Sequence, residues 1–341
     1  MSDVKSLSDP LLMAEWFAIG WSREVTPGKI VSRRAMGRDL VLWRSSAESS
    51  ETQGELHCWL DLCIHRGAKL SLGTIDHEGC GDSRECLVCP YHGWRYAASG
   101  QCVRIPSQPG ITPPLKARTE SFQVRERYGM IWVCFGEPEG DLPEFGIAED
   151  PDFRVMLAGP YRFRALGPRL IENFLDVAHL STVHAGRLGD PEQSEIESYQ
   201  VGMGAHGPEA PAIHVWQPDP DGTGTGAYMS YCYEVQGPLT AGLVKQFEDK
   251  RFGILGQTVP IDEEFSEMRM VMAMNYGHEI PEEELIAFQD NILNQDRAIV
   301  ESQRPELLPL DLQAELHLRS DRLAIAYRKW LREIGFTYGV V

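Results

Sequence analysis

Between Leu40 and about Phe135 the chain alternates short apolar runs with turn residues. DLVLWR, ELHCWLDL, CVRIP and FQVRERYGMIWVCFG set Val, Ile, Trp and Phe against polar neighbours at period two, the pattern of half-buried strands. SSAESSETQGE between the first two predicts a hairpin loop, and IPSQPGITPPLK, with its four prolines, a loop crossing. Pro, Gly and acids interrupt everything across EPEGDLPEFGIAEDPDF (137 to 153), so residues 1–150 are expected to form one domain and 151–341 another. YRFRAL then reads as a strand. At Leu170 the period changes, and LIENFLDVAHLSTVHAG predicts a helix with Gly186 and Gly189 as stop signals. Residues 201–226, rich in Gly and Pro, read as loop; strands resume from Tyr228, the clearest being Glu267 to Gly277. Pro281 followed by Glu282, Glu283 and Glu284 opens a helix, and Leu318 to Ile334 predicts a last one.

Composition narrows the class. With 341 residues, 43% apolar and 24% charged, the chain can bury a sizeable core, which excludes disorder, collagen and coiled coil and suggests two domains. The net charge of −18 argues against a nucleic-acid partner, which needs a basic footprint. It would tolerate a cationic substrate. MSDVKSLSDPLLMAEW lacks the apolar core of an export signal, and no run of about 18 apolar residues occurs, so the expectation is a cytoplasmic protein with no membrane span. Five of the eight cysteines fall between residues 58 and 89. In a reducing compartment such clusters are more often metal ligands than disulfides.

LCIHRGAKL and LVCPYHGWRY each present one Cys and one His, as Cys63-x-His65 and Cys89-x-x-His92. Two thiolates and two imidazoles suit a structural zinc, and equally a Rieske [2Fe-2S] cluster, where the thiolates bind one iron and the imidazoles the other. Ligand types alone leave both open. The flanking residues do not: Cys63-Ile-His65-Arg66-Gly67 and Cys89-Pro90-Tyr91-His92-Gly93-Trp94 resemble the paired signature of the Rieske non-haem iron oxygenase family. The 23 residues between His65 and Cys89 are more than most relatives have. The excess is DHEGCGDSREC, whose Cys80 and Cys86 match no family ligand. It reads as a surface loop, with a Cys86-x-x-Cys89 metal or redox knuckle as the lesser alternative. A respiratory Rieske carrier would add a cysteine shortly after each ligand pair, and none stands there.

Downstream, ENFLDVAHLSTVH spaces Asn173, Asp176 and His179 at every third residue, one face of a helix. His184 lies five residues past His179, about 140° round a regular helix, so both reach one metal only if the helix ends or distorts between them. Taken alone, the two histidines read as satisfied core residues. The resemblance extends here to the family's N-x-x-D-x-x-H-x4-H pattern. It implies that His179 and His184 bind a mononuclear Fe(II), and that Asp176 bridges an iron-ligand His to a cluster-ligand His of the neighbouring subunit. Asn173 would sit near the iron without being a firm ligand.

A two-histidine site needs one carboxylate to complete a facial triad. On the helix from Pro281, Leu285, Phe288, Ile292, Ile299 and Val300 form a stripe on which Asp296 falls, while Asp290 points elsewhere. A family helix carries its third ligand in a context resembling NQDRAIVESQ, which implies Asp296. A buried salt bridge from Asp296 to Arg297 or Arg304 is the alternative. In EMRMVMAMNY, Met268, Met270, Met272, Met274 and Tyr276 share one strand face, more often core than pocket; part of it, Met272 and Tyr276, is expected to line the substrate cavity. Cys58, Cys102, Cys134 and Cys232 read as small buried residues, and His206, His214, His278 and His317 as ordinary.

The tail LHLRSDRLAIAYRKWLREIGFTYGV is similar to that of short α-subunit oxygenases, among them toluenesulfonate- and vanillate-type monooxygenases and, in RYGMIWVCFG as well, hydroxylases of guanidinium toxins such as saxitoxin. The resemblance implies an α+β chain: an N-terminal all-β Rieske domain, then a helix-grip-like catalytic domain with an antiparallel sheet, assembled as a head-to-tail homotrimer. It implies a monooxygenase that hydroxylates or oxidatively demethylates a small organic substrate with O2. Electrons come from NAD(P)H through a separate reductase of flavin or ferredoxin type. The rival reading is a non-catalytic electron-transfer or zinc-stabilised protein.

Overall fold

The computed structural model describes residues 7–46, 54–81, 83–220 and 223–341. The expected hairpin loop at SSAESSETQGE lies mostly outside them. Two compact units result, one of residues 13–142 and one of residues 143–341 together with the N-terminal segment up to Leu12. The division falls within the acid- and proline-rich stretch, at Leu142/Pro143 rather than at residue 150. The first residues join the second unit because Asp9 both caps helix α1 (Pro10–Ala14), accepting from Leu11 N and Leu12 N, and accepts from Thr337 N at 2.7 Å.

The described residues of the 13–142 unit form ten strands: β1 (Trp16–Trp21), β2 (Ile30–Ala35), β3 (Arg38–Arg44), β4 (Leu56–Leu60), β5 (Thr74–Asp76), β6 (Cys86–Val88), β7 (Arg95–Ala97), β8 (Cys102–Arg104), β9 (Ser121–Arg127) and β10 (Met130–Cys134). They form a six-stranded sheet, β1-β10-β9-β4-β3-β2, and a four-stranded one, β5-β6-β7-β8. Tyr128 and Gly129 join β9 to β10 with both residues at positive φ, the two-residue turn whose twist matches paired strands. Val41, Trp43, Trp59, Leu87 and Tyr96 build a core in which Cys63 and Cys89 are embedded. Arg44, 2% exposed, grips Glu126 through both guanidinium ends (2.6 and 2.9 Å) and so locks β3 to β9.

The insertion between β5 and β6 corrects one expectation. Cys80 and Cys86 are not ligands: they are bonded to each other across the turn, where a separation of six residues leaves their Cα atoms 5.4 Å apart, within disulfide reach. The Cys86-x-x-Cys89 knuckle is thereby excluded. Cys232 is also not buried; it faces outward from its strand.

The second unit is a seven-stranded antiparallel sheet covered by helices. Its elements are β11 (Arg154–Phe163), α2 (Gly167–Leu175), β12 (Gly202–Met203), β13 (Pro208–Gln217), β14 (Ala227–Gly237), β15 (Thr240–Phe247), β16 (Lys250–Pro260), β17 (Ser266–Met274), α3 (Glu282–Val300) and α4 (Arg322–Glu333), in sheet order β11-β17-β16-β15-β14-β13-β12. Strand β13 overturns the reading of 201–226 as loop. Its Pro211 falls where the ladder to β14 skips between Ala210 and Ile213, so the missing N–H breaks no pairing. Helix α2 stops at Leu175, well short of Gly186. Ile299 and Phe288 are exposed, and the buried face of α3 runs instead through Gln289, Ile292, Leu293, Asp296 and Val300. Among the described residues no helix is long and apolar enough to cross a membrane.

A buried ionic network ties α2 to α4. Arg328, with its side chain 4% exposed, bonds both oxygens of Glu172 and reaches Glu315 Oε2 at 2.6 Å, while Arg169 contacts Glu172, Glu315 and the Pro305 carbonyl. Removing one partner strands charge in a low-dielectric interior. Arg328→Met should therefore lower unfolding stability by about 3–5 kcal/mol in urea titrations; a loss below ~1 kcal/mol would show the network to be dispensable.

Candidate active site

Among the described residues two donor clusters form, one in each unit. The first is built from two loops of the same design. Gly67 N donates to Cys63 O (2.9 Å) and Gly93 N to Cys89 O (3.1 Å), each closing a turn whose glycine sits at positive φ, 71° and 68°. Each cysteine N–H also bonds back into its loop, Cys63 to Ala68 O and Cys89 to Trp94 O. These turns bring the thiols of Cys63 and Cys89 into mutual reach, buried, with the N–H groups of Tyr91 and His92 donating to Cys89 Sγ. Tyr96 OH lies 3.1 Å from Cys63 Sγ. His65 stacks on Trp94 (4.5 Å, 6°) and meets His92 edge to face at 4.5 Å. Its Nδ1 is buried with no hydrogen-bond partner among the described residues. Two thiols, one held by N–H donors and one beside the Tyr96 hydroxyl, together with two imidazoles, one with an orphaned nitrogen, fit a [2Fe-2S] centre.

The second cluster depends on the early end of α2. Asp176 takes an extended ψ of 128°, and Ala178–Ser181 then form a 3-10 turn, so Asn173, Asp176 and His179 do not share a helical face. Asp176 Oδ1 accepts from Ala178 N (2.8 Å), and its Oδ2 accepts from His179 Nδ1 (3.2 Å). The break supplies the distortion that the five-residue spacing demands. His179 Nε2 lies 3.6 Å from Asp296 Oδ1 and His184 Nε2 lies 3.1 Å from it. The three donor atoms lie within 4.8 Å of one another.

These donors do not satisfy one another. Asp296 Oδ1 is buried and makes no hydrogen bond among the described residues, since the His184 nitrogen, though close, is not aligned to donate. The Nδ1–H of His184 goes instead to Gln295 Oε1 (2.9 Å), as that of His179 goes to Asp176, which leaves both Nε2 atoms as lone pairs turned toward the carboxylate. Burial works against charge on His179, but the Asp176 carboxylate prevails and lifts its pKa, while Asp176 is held below the usual range by the same contact. Three convergent electron-pair donors with one orphaned oxygen fit a divalent cation. The salt-bridge alternative fails: Arg297 lies over the Phe163 ring and Arg304 pairs with Glu306. Asp290 accepts from Tyr161 OH and faces away.

The donors open into a cavity of about 330 Å³ between the sheet and helices α2 and α3. Cross-strand register puts Tyr233, Leu243, Ile254, Met272 and Met156 in one row of the inward face. Tyr231, Lys245, Phe252 and Met274 form the next. Met268, Met270, Met272, Met274 and Tyr276 all line the cavity, as does Asn173. Sequence reasoning missed Gln295, Gln217 and Lys245. Lys245 Nζ donates to Gln217 Oε1 at 3.3 Å and lies 5.2 Å over the Phe252 ring, and burial pushes its pKa down to about 8.

Residues 15–121 match the family described as the Rieske [2Fe-2S] domain, and residues 163–335 match the vanillate O-demethylase oxygenase C-terminal domain. The methylxanthine N1-demethylase NdmA of Pseudomonas putida is 32% identical over 284 residues, 80% of this chain and 76% of its own. The chain belongs to the Rieske non-haem iron oxygenase family. A structure of an NdmA variant with caffeine superposes with a TM-score of 0.77 at 28% identity, covering 95% of this chain and 91% of that one. The toluene-4-sulfonate monooxygenase iron-sulfur subunit TsaM1 of Comamonas testosteroni is 29% identical over 186 residues, 53% of this chain and 49% of its own. As a Rieske oxygenase the chain has a [2Fe-2S] cluster and a mononuclear non-haem iron, and it acts on small molecules with a separate reductase. The zinc-protein and simple-carrier readings are set aside by the second domain.

Gln295 gives a test of the hydrogen bonds behind the donors. Gln295→Leu should weaken iron affinity about 10–100-fold in chelator competition while the visible spectrum of the cluster is unchanged. Unaltered iron retention would show that Gln295 does not orient His184.

Proposed function

We propose that the chain is the terminal oxygenase of a monooxygenase system in which His179, His184 and Asp296 hold the mononuclear iron, and Cys63, His65, Cys89 and His92 hold the cluster. Held by these residues, the two groups would supply single-electron transfer and O2 activation, the chemistry needed to hydroxylate a C–H bond. The observation that carries the reading is the convergence of two lone-pair nitrogens and the orphaned Asp296 oxygen at the edge of an apolar cavity.

The residues divide the work. Asp176 holds the His179 ring through Nδ1 and keeps a third of its own side chain exposed, so one carboxylate is free to accept a second imidazole N–H. That second donor would be a cluster histidine of a neighbouring copy in a head-to-tail homotrimer; His92, exposed at the tip of its loop, suits the role. Asn173 stands in the cavity wall beside the donors and orients bound molecules. Met272 and Tyr276 contribute to substrate fit, and the surrounding methionines exclude water. Where the hydroxylated carbon is an N- or O-methyl group, the product hydroxymethyl leaves as formaldehyde, the outcome that the names of the methylxanthine relatives favour. The electrons would come from NAD(P)H through a flavin- or ferredoxin-type reductase in the cytoplasm.

The wild-type protein should contain three irons and two labile sulfides per chain, against two irons for a cluster-only carrier. Asp176→Asn should keep this content yet nearly abolish turnover with a surrogate reductase, measured as oxygen-dependent product. Full activity in that variant would falsify the relay role. Met272→Ala and Tyr276→Phe should shift the product profile across a substrate panel with iron content unchanged.

A further inference from the structure

Two polar groups on the cavity wall, Lys245 and Tyr231, share a partner behind it, Gln217. Gln217, 1% exposed, donates through Nε2 to both the Leu188 carbonyl (3.2 Å) and Tyr231 OH (2.6 Å). The carbonyl can only accept, so it fixes the amide orientation and turns Gln217 Oε1 toward Lys245. Two consequences follow. Tyr231 already accepts from Gln217, which leaves its O–H proton without an acceptor among the described residues. Lys245 has three N–H donors and one protein acceptor, and among the described residues no carboxylate pairs with it. The carboxylate at this end of the cavity, Asp219, is turned to Gly224 N (2.9 Å).

An ammonium and a hydroxyl proton, set side by side on neighbouring strands by one shared glutamine, stand on a wall that Tyr233, Phe252, Ile254, Leu243 and methionines complete. Unmatched donors in such surroundings cost free energy unless a ligand supplies the acceptor. We propose that Lys245 and Tyr231, held by Gln217, form an oxyanion clamp that selects substrates carrying a carboxylate, sulfonate or comparable anionic oxygen group. The inference rests on the oxygenase reading for its substrate but not for its test. It runs against the expectation from net charge: a surplus of acids over the whole chain does not set the charge at one position of a buried wall, where Lys245 supplies a cation. Gln217 and Leu188 also connect the clamp to the iron site, since Leu188 N donates to His184 O in the same turn. A molecule anchored at Lys245 is thus referenced to the loop that carries an iron ligand.

The test uses the cluster- and iron-loaded protein under anaerobic conditions, with binding measured by calorimetry so that turnover is not required. Two matched pairs serve as probes: 4-methoxybenzoate against 4-methoxybenzamide, and toluene-4-sulfonate against toluene-4-sulfonamide. The wild type should prefer at least one anion over its neutral partner by roughly ten- to a hundredfold, as expected of a charge-assisted hydrogen bond. Lys245→Met should erase that preference, Lys245→Arg should keep it, and Tyr231→Phe should reduce it. A carboxylate-only preference and a sulfonate-only preference each support the clamp and name its ligand. Equal binding within both pairs, binding of neither anion, or an undiminished preference in Lys245→Met would overturn it. Should Lys245→Met fail to fold, the wild-type comparison and Tyr231→Phe still decide. An anion that binds as expected but is never oxidised would leave the clamp standing and remove the oxygenase role proposed for the site.

Discussion

The catalytic half of this protein depends on one broken helix. A helix continued past Leu175 would place His184 about 140° round from His179, with their rings aimed at different neighbours. Asp176 prevents this by leaving helical ψ and using its carboxylate twice, on Ala178 N and on His179 Nδ1. The break and the ring orientation therefore have a single cause. The 3-10 turn that follows swings His184 back so that both Nε2 atoms approach Asp296, which arrives from a helix more than a hundred residues later.

A site of unpaired donors is unfavourable before metal binds, so the frame around it has to be stiff. The Arg169–Glu172–Arg328–Glu315 network holds α2 from the side away from the cavity, and it is nearly all withdrawn from water. The methionine face of β17 packs the opposite side. Methionine adapts to irregular space, which lets the wall close without polar atoms that would compete for the metal or for substrate. On such a wall Lys245, Tyr231 and Gln217 stand out as a separate recognition element, held to the iron-bearing loop by the Leu188 carbonyl.

Much of this was legible along the chain, and where it was not the reasons are physical. The strands of the Rieske domain follow from period-two patterning, and the paired Cys and His spacing marks the cluster because each loop builds its own turn from adjacent residues. The reading failed where a local signal was overruled from a distance. Pro208 and Pro211 suggested loop, yet a bulge lets β13 join the sheet. Cys80 and Cys86 suggested ligands or inert loop residues, yet a hairpin turn bonds them to each other. Ile299 fits the apolar stripe of α3 by spacing, but nothing among the described residues buries it and it stays exposed.

By itself, the sequence determined which residue types are available and the local turns that present them: two thiols and two imidazoles at the cluster, two histidines five apart, a carboxylate on the buried side of α3. Only the tertiary structure decided that Asp296 meets those histidines and that Gln295 and Asp176 orient their rings. It also decided that Lys245 faces the cavity with no carboxylate paired to it among the described residues. Short-range spacing encodes the first set because its members share a turn. The second joins residues from separate strands and helices, whose meeting depends on sheet register and helix packing rather than on any interval in the chain.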